Sequence, residues 1–418
     1  MSRLNSLAIA VTALLAASGA QADETVKWLH IEQNPAQVAI WNQAAQAFGA
    51  ENPGTKVNLQ FLENEAFKAK LTTILQSRDK PAIFYSWAGG VLKAQVEAGV
   101  LEDLTDKLKG YADTLTPTAL DAFRVNGRIY GVPQAISEVG FFYNKALMAK
   151  AGVDAGTIKT WDDLLAAVRT IKAAGITPLA AGGGDKWPLS FFWSYLSLRE
   201  GGKAGFEAAL RGEDGGFAGP AFVKAGADFK QLADLQPFQP GYLGAKNQPA
   251  IGLFADGKAA MTLAISVVYA QQRALAADKV GLSEDQMGWI DFPAVSGGKG
   301  LPTDTLGGIN GWLVSKGAPN AAVPFLEAFV SPEIQQKLAS AGFLIPVVKG
   351  ASATVGSPFM RHIADELARS TYHQNFYDQT LGPNVGRVVN DAIAELAGGT
   401  MTPEDVAKAV EAAWKQGN

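Results

Sequence analysis

The chain of 418 residues contains no cysteine and only three histidines. Without cysteine it can form neither a disulfide scaffold nor a thiolate metal site, and it offers no cysteine nucleophile. His30, His362 and His373 stand at none of the spacings of metal-binding motifs, and the sequence has no zinc-protease motif, serine-hydrolase elbow or Walker A loop. We therefore expect a protein that is not an enzyme, with no catalytic residues, no metal and no cofactor.

Concentrated charge and long apolar runs are also missing. The formal net charge is −4 and there is no basic block, so nucleic acid and anionic membrane surfaces are not expected partners. No apolar run reaches the roughly 20 residues that a membrane-spanning helix needs. The apolar fraction of 48% and charged fraction of 18% are typical of a folded protein, and the length favours two structural bodies.

The first 22 residues have the pattern of a secretory signal peptide. Arg3 supplies the positive charge, residues 7–17 are almost uninterruptedly apolar, and Ala20 and Ala22 are the small residues that a signal peptidase reads. This pattern predicts that residues 1–22 are removed and that the mature chain, beginning at Asp23, is a soluble protein of the periplasm.

Strand and helix patterns alternate along the mature chain. Strands are predicted over residues 26–31, 57–62 and 81–85, with amphipathic helices between them, which indicates an α/β fold with parallel strands. Ligands of such sheets bind beyond the carboxyl ends of the strands. Glu32 and the pair Ser86-Trp87 follow two of these ends and are therefore candidate binding residues.

The stretch from Asn126 to Asn144 is predicted to connect the two bodies. Asn126-Gly127 between short apolar segments predicts a hairpin, and the residue before Pro133 is held extended. We interpret the following residues as a strand that crosses between two lobes, with Ser137 and Glu138 facing the space between them. An ordinary edge strand within one domain is the alternative interpretation.

Aromatic residues beside polar groups mark the loops. Trp87, Trp187 and Tyr269 occupy predicted loop positions, and residues 373–379 mix aromatic and polar side chains. Aromatic rings pack on the apolar faces of sugars, while carboxylates and amides bind sugar hydroxyls. Core or helix-face positions are expected for five other tryptophans: Trp28, Trp41, Trp161, Trp289 and Trp414.

The sequence offers two alternatives to simple ligand binding, namely a phosphate-binding loop and a glycosidase. The glycine-rich segment 182–186 lacks the outer glycine and the Ser/Thr of a phosphate loop, so it is read as a turn that leads into a helix. A glycosidase would require a carboxylate pair at a defined separation. The candidates for such a pair are Glu32, Glu138, Asp304 and Asp378.

Several short motifs, in order along the whole mature chain, resemble those of one family. They are residues 84–90 (FYSWAGG), 131–133 (GVP), 142–145 (FYNK), 161–164 (WDDL), 254–261 (FADGKAAM), 306–308 (LGG), 377–379 (YDQ) and 398–404 (GGTMTPE). On these residues the chain resembles the extracellular solute-binding proteins that supply sugar importers with an ATP-binding cassette (ABC), in the group that includes maltose-binding protein.

The resemblance implies a fold and a set of ligand contacts. The fold is the two-lobed α/β periplasmic-binding-protein fold of type II, each lobe a mainly parallel sheet flanked by helices, joined by three hinge crossings near 135–138, 306–309 and 329–332. The N-terminal lobe would comprise 23–135 plus 309–329, and the C-terminal lobe 138–306 plus 332–418. The ligand-binding residues expected from the pattern and the resemblance are Glu32, Ser86, Trp87, Glu138, Trp187, Tyr269, Asp304, Gly308, Tyr377 and Asp378.

The expected function is binding of a sugar, most simply an oligosaccharide, in the cleft between the lobes and its delivery to the permease of an ABC importer. The expected partners are thus the sugar and the permease subunits, with the protein itself a monomer. Two alternatives stay open: a ligand-binding module for a chemoreceptor or sensor kinase, and an exported glycoside hydrolase.

Overall fold

The computed structural model describes residues 24–417. The predicted signal peptide, its cleavage site and Asp23 lie outside the described residues. Within this part of the chain, no helix is both long enough and apolar enough to cross a bilayer.

The strands are short except for two. They are β1 (Glu24–His30), β2 (Thr55–Phe61), β3 (Ile83–Ser86), β4 (Arg124–Val125), β5 (Arg128–Ile129), β6 (Gly131–Asn144), β7 (Met261–Ile265), β8 (Met287–Ile290), β9 (Thr305–Val314), β10 (Ile345–Pro346) and β11 (His373–Asn375).

Helices occupy most of the remaining chain. They are α1 (Pro35–Glu51), α2 (Asn64–Leu75), α3 (Gly89–Glu97), α4 (Pro117–Asp121), α5 (Lys145–Ala151), α6 (Trp161–Ala173), α7 (Trp187–Leu210), α8 (Pro220–Asp234), α9 (Asn247–Ala255), α10 (Val268–Leu275), α11 (Ala322–Phe329), α12 (Pro332–Ser340), α13 (Pro358–Arg369), α14 (Tyr377–Thr380), α15 (Gly382–Ala397) and α16 (Pro403–Gly417).

The sheet is mixed. Strands β2, β1 and β3 are parallel neighbours, as the alternation of strands and helices predicts. The two long strands β6 and β9 run antiparallel to each other, and β9 also runs antiparallel to β3. The expectation of mainly parallel sheets therefore applies to β1–β3, whereas the strands that cross between the lobes introduce antiparallel pairs.

Strand β6 belongs to both halves of the sheet. Its first part, Gly131 to Glu138, pairs with β9, and its second part, Val139 to Asn144, pairs with β7 and β8. The hairpin before it forms as predicted, because Asn126 and Gly127 both adopt the positive φ that a tight two-residue turn requires. These pairings favour the crossing interpretation of this stretch over the edge-strand interpretation.

Two aromatic cores support the two ends of β6. In the first, the Trp28 ring packs against those of Trp41 and Trp312 at centroid distances of 5.3 and 5.0 Å. In the second, the side chains of α6, α7, α8, α15 and α16 surround Phe141 and Trp193. The expected core positions of Trp28, Trp41 and Trp161 agree with their burial.

The segment from α12 to β10 packs against β6. Strand β10 pairs with β6 at Ala135 and Ile136, and Gln335 of α12 donates a hydrogen bond to the carbonyl of Gln134 at 2.9 Å. Ser331-Pro332 begins α12, with the Ser331 side chain as the N-cap. The predicted boundaries assign this segment to the C-terminal lobe, and its contacts with β6 lie at the predicted first crossing.

Candidate functional site

A cleft of about 820 Å³ lies where the two halves of the sheet meet. One wall comes from the residues after β1 and β3 and from the start of α2. The other comes from the starts of α7 and α9, from α10 and from α14. Gln134 and Ala135 of β6 form part of the floor, so the cleft is at the predicted first crossing.

Four of the predicted ligand-binding residues line this cleft together. They are Glu32, Trp87, Trp187 and Asp378. They come from four separate parts of the sequence. Glu32 and Trp87 follow strands, and Trp187 and Asp378 lie at the starts of helices. The fold brings them together because these strand ends and helix starts meet at one edge of the sheet.

Glu32 is positioned by the turn between β1 and α1. Its Oε1 accepts hydrogen bonds from the backbone N–H groups of Gln33 and Asn34, at 2.9 and 2.7 Å, while Asn34 caps α1. Desolvation raises the pKa of Glu32, and the two backbone donors act in the opposite direction. Because Oε1 accepts both of these hydrogen bonds, Oε2 remains available to a ligand.

Trp87 directly follows β3 and is half-buried. Its ring makes edge contacts with Tyr85 and Phe67, at centroid distances of 5.0 and 5.7 Å. The glycines that follow it do not leave open space: a Cβ on Gly90 would lie 2.5 Å from the carbonyl oxygen of Thr380. The backbone beside Trp87 is therefore held by α14, the short helix that carries Asp378.

Trp187 begins α7 on the opposite wall. Its ring contacts Phe191 at 5.3 Å, and Phe191 stacks in turn on Phe376, which also lines the cleft. The glycine-rich segment before it forms the turn that the sequence predicts, with Asp185 accepting hydrogen bonds from Lys246 Nζ and the Asn247 N–H, both at 2.8 Å.

Lys68 of α2 connects these residues. Its Nζ lies 5.4 Å from the ring centre of Trp87, 6.0 Å from that of Trp187 and 3.7 Å from Oδ2 of Asp378. An ammonium group over aromatic rings is a favourable cation–π arrangement. The same Asp378 oxygen also accepts hydrogen bonds from Gln379 and Asn390. The result is a polar cluster between two indole rings.

The other six predicted residues do not line the cleft. Ser86 is buried and its Oγ accepts a hydrogen bond from the Ala88 N–H. Gly308 lies beneath Phe376, whose ring a Cβ at this position would approach to 2.4 Å. Both residues support cleft residues rather than forming its surface.

Tyr377 and Asp304 are structural in this arrangement. The Tyr377 ring is fully buried between Trp193 and Phe206. The Asp304 carboxylate accepts hydrogen bonds from the Leu301 N–H and the Thr371 hydroxyl, both at 2.9 Å, and so holds two loops together.

Tyr269 is covered on the outer side of α10. Its hydroxyl donates to Glu284 at 3.1 Å, and its ring stacks on Phe359 at 5.2 Å. The neighbouring α10 residues Gln271 and Arg273 line the cleft instead.

Glu138 is buried in the sheet and does not face the space between the lobes. Its exposed fraction is 1%, and within the described residues its Oε2 has no hydrogen-bond partner. Burial, together with the negative charges of Asp291 and Glu366, raises the pKa of Glu138 well above its ordinary value, while Arg199 opposes this effect. Of the four carboxylates considered for a glycosidase pair, Glu138 and Asp304 are thus outside the cleft.

Sequence reasoning missed several residues of the cleft. Lys68, Asn64 and Arg273 lie on amphipathic helices, where polar residues are ordinarily on the solvent face, so nothing marked them. Phe376 carried a signal, because it belongs to the mixed aromatic and polar run at 373–379.

The sequence is similar to one protein family and to several individual proteins. Residues 33–336 match the bacterial extracellular solute-binding protein family. An ABC transporter extracellular-binding protein of Pyrococcus horikoshii, whose function is uncharacterized, is 27% identical over 361 residues, covering 82% of this chain and 75% of the relative. The chain spans about 60% of the length of three Brucella proteins named as binding proteins, to which it is 29% identical.

Two solved structures are similar over nearly their whole length. A chitin oligosaccharide binding protein has a TM-score of 0.85 and 28% identity, covering 94% of this chain and 99% of that one. A structure from a study of xylan utilization by Caldanaerobius polysaccharolyticus has a TM-score of 0.85 and 26% identity, covering 93% and 99%. These similarities confirm the predicted two-lobed α/β fold. Because the family match extends over residues 33–336, the chain belongs to the bacterial extracellular solute-binding protein family, whose members are binding proteins.

Proposed function

We propose that the protein binds an oligosaccharide in this cleft and delivers it to the permease of an ABC importer. The observation that carries the proposal is the position of Trp87 and Trp187, whose ring centres both lie within 6.0 Å of Lys68 Nζ. Two flat apolar surfaces around one polar cluster match the alternation of apolar faces and hydroxyl edges in a chain of sugars.

Each residue then has a defined role. Trp87 and Trp187 stack on sugar rings, and Oε2 of Glu32 accepts a hydrogen bond from a sugar hydroxyl. Lys68 donates to a second hydroxyl when the sugar replaces its 3.7 Å contact with Asp378. Hydrogen bonds with a charged partner each contribute about 1.5–3 kcal/mol.

The volume of the cleft supports a ligand larger than a single sugar. At about 820 Å³ it is at the upper end of the size of ordinary small-molecule pockets. The similar structures described above include a chitin oligosaccharide binding protein. We therefore choose chitin and xylan oligosaccharides of two to four sugars as the first probes.

A thermal-shift screen with these oligosaccharides, followed by calorimetry on each hit, tests the proposal. At a ligand concentration one hundred times Kd, the free energy of unfolding rises by about 2.7 kcal/mol. The matched control is Trp414→Ala, because Trp414 packs on Phe217 in the second core and does not line the cleft. A hit whose affinity falls equally in Trp414→Ala and Trp187→Ala would place the binding site elsewhere.

The delivery role also requires a bound sugar that stays chemically intact. We propose that chromatography of a hit after prolonged incubation returns the unchanged oligosaccharide, whereas shorter products would indicate a glycoside hydrolase. We further propose export to the periplasm by the segment 1–22. Mass spectrometry of periplasmic protein should give a chain that begins at Asp23, and retention of residues 1–22 would contradict this.

A further inference from the structure

Three metal-ligating side chains meet outside the cleft. Asp291 follows β8, while His362 and Glu366 lie on α13, and one ligand atom from each side chain is within 4.8 Å of the other two. The residues of the cleft do not include any of the three. The histidines showed no metal-binding spacing in the sequence because this group combines one histidine with carboxylates from two elements.

Local structure brings the three side chains to one place. His362 and Glu366 are four residues apart on a helix and therefore project from the same face. Helix α13 lies on the sheet through Phe359, whose ring stacks on that of Phe142 at 5.5 Å. Oδ1 of Asp291 accepts a hydrogen bond from Trp289 Nε1 at 2.8 Å, which orients the carboxylate and leaves Oδ2 available.

A buried carboxylate lies behind this group. Phe142 is paired with Trp289, and a Cβ on Gly140 would meet the Trp289 ring, so these residues share the sheet face that α13 covers. Strand alternation places Glu138 on that same face. It is 1% exposed, its Oε2 has no hydrogen-bond partner within the part of the chain that the structure describes, and the negative charges of Asp291 and Glu366 contribute to raising its pKa.

Two arginines lie near the group. Arg369 contacts one oxygen of Glu366, which leaves the other oxygen for a ligand. The Arg199 guanidinium donates hydrogen bonds to backbone carbonyls of the loop that follows β8, including that of Phe292 at 2.9 Å. The ring of His362 has no hydrogen-bond partner among the described residues. The His362 ring, Oδ2 of Asp291 and one oxygen of Glu366 therefore remain available to a cation between α13 and β8.

We propose that Asp291, His362 and Glu366 bind one divalent transition-metal cation of the zinc type, in front of the buried Glu138 carboxyl group. A ligand set of one imidazole and two carboxylates suits zinc, whereas calcium and magnesium prefer oxygen ligands alone. Bonds of about 2.0–2.2 Å need ligand atoms closer together than 4.8 Å, and side-chain rotation supplies this movement because Asp291 and His362 are exposed. The cation would then fasten α13 to the sheet.

Calorimetric titration of the untagged, EDTA-treated and dialysed protein with zinc chloride tests the proposal. We expect one zinc ion per chain and a higher melting temperature with zinc. Affinity should fall at least tenfold in His362→Ala and in Asp291→Asn, since each change removes a ligand.

The matched control is Asp365→Asn, which removes one negative charge from an exposed residue of the same helix. It should bind zinc as the unaltered protein does. Absence of saturable zinc binding, or equal affinity in His362→Ala and Asp365→Asn, would overturn the proposal. Tighter binding of calcium than of zinc would overturn the assigned metal class. None of these outcomes depends on sugar binding.

Discussion

The cleft side of Trp87 is polar and its other side is aromatic. Tyr85 and Phe67 hold the indole ring by its edges, while Lys68 lies over its face. A ring that is fixed by its neighbours loses little conformational freedom when a ligand stacks on it, so a larger part of the contact energy contributes to affinity.

Trp87→Ala should therefore weaken binding of an oligosaccharide hit by about 1–3 kcal/mol, the loss typical of one large aromatic contact at an interface. Calorimetry measures the change in affinity, and urea unfolding of the sugar-free protein measures the change in stability. Trp193→Ala is the comparison, because Trp193 is fully buried in the second core and its truncation should cost about 3–5 kcal/mol of stability. Unchanged affinity in Trp87→Ala, with a stability loss as large as that of Trp193→Ala, would show that Trp87 is a core residue.

Two histidines are expected to make stability depend on pH. Burial lowers the pKa of His30 to about 4, with the Glu32 backbone acting in the opposite direction, and burial also lowers the pKa of His373 to about 4. The unfolded chain binds a proton at each site near pH 6.5, whereas the folded chain does so only near pH 4. The free energy of unfolding that depends on these histidines is therefore at its full value above pH 6.5 and falls as the pH decreases towards 4.

At pH 5 each histidine should reduce the free energy of unfolding by about 2 kcal/mol relative to pH 8. Urea unfolding at several pH values measures this dependence, and His30→Gln should make it less steep between pH 4 and 6.5. An NMR titration of the His30 ring with a midpoint near 6.5 would contradict the prediction.

The antiparallel pair of β6 and β9 is the element on which the cleft depends. The backbones of Ser137 and Gly307 approach so closely that a Cβ on Gly307 would lie 1.8 Å from the Ser137 carbonyl oxygen. A backbone atom cannot move aside as the end of a flexible side chain can, so a side chain at this position would separate the two strands.

Gly307→Ala should accordingly destabilise the protein by at least 1–3 kcal/mol, the usual range for overpacking. Gly205→Ala is the control, because Gly205 lies within α7 and a Cβ there would meet nothing within 4 Å. The control should be neutral or stabilising, as alanine is favoured over glycine in a helix. Equal stability of the two variants in urea would show that β6 and β9 can separate at no cost.

Sequence patterns predicted those elements whose cause is local. The Asn126-Gly127 turn and the strand before Trp87 depend on neighbouring residues alone, and both are found. Helix α12, which Ser331-Pro332 begins, was not predicted. Its position beside β6 depends on contacts between residues distant in sequence, such as that of Gln335 with Gln134.

The cleft was predictable to the extent that its residues follow strand ends. Glu32 and Trp87 are found at the cleft for this reason. In the pair Tyr377-Asp378, one side chain is in the core and the other lines the cleft, and a single sequence does not indicate which. The position of Lys68 depends on the angle at which α2 meets the sheet, and no local pattern encodes that angle.

Strands β6 and β9 pass between the two lobes, and we propose that the lobes move relative to each other about these strands. Polar groups also meet across the cleft. These include the Lys68–Asp378 pair at 3.7 Å and a hydrogen bond from Asn375 Nδ2 to the Trp87 carbonyl at 3.0 Å.

A sugar that touches both Trp87 and Trp187 adds contacts that exist only when the lobes are close, and this difference shifts the population towards the closed form. We therefore predict that a saturating oligosaccharide hit reduces the radius of gyration in small-angle X-ray scattering without changing the far-ultraviolet circular dichroism. Trp187→Ala removes the contact on one wall, so at a concentration that again saturates it the decrease should be smaller. An unchanged scattering curve for the unaltered protein, at a concentration where calorimetry shows full occupancy, would mean that the sugar binds without closure. Binding would then rest on one wall alone, and the affinity lost in Trp87→Ala and in Trp187→Ala should differ sharply.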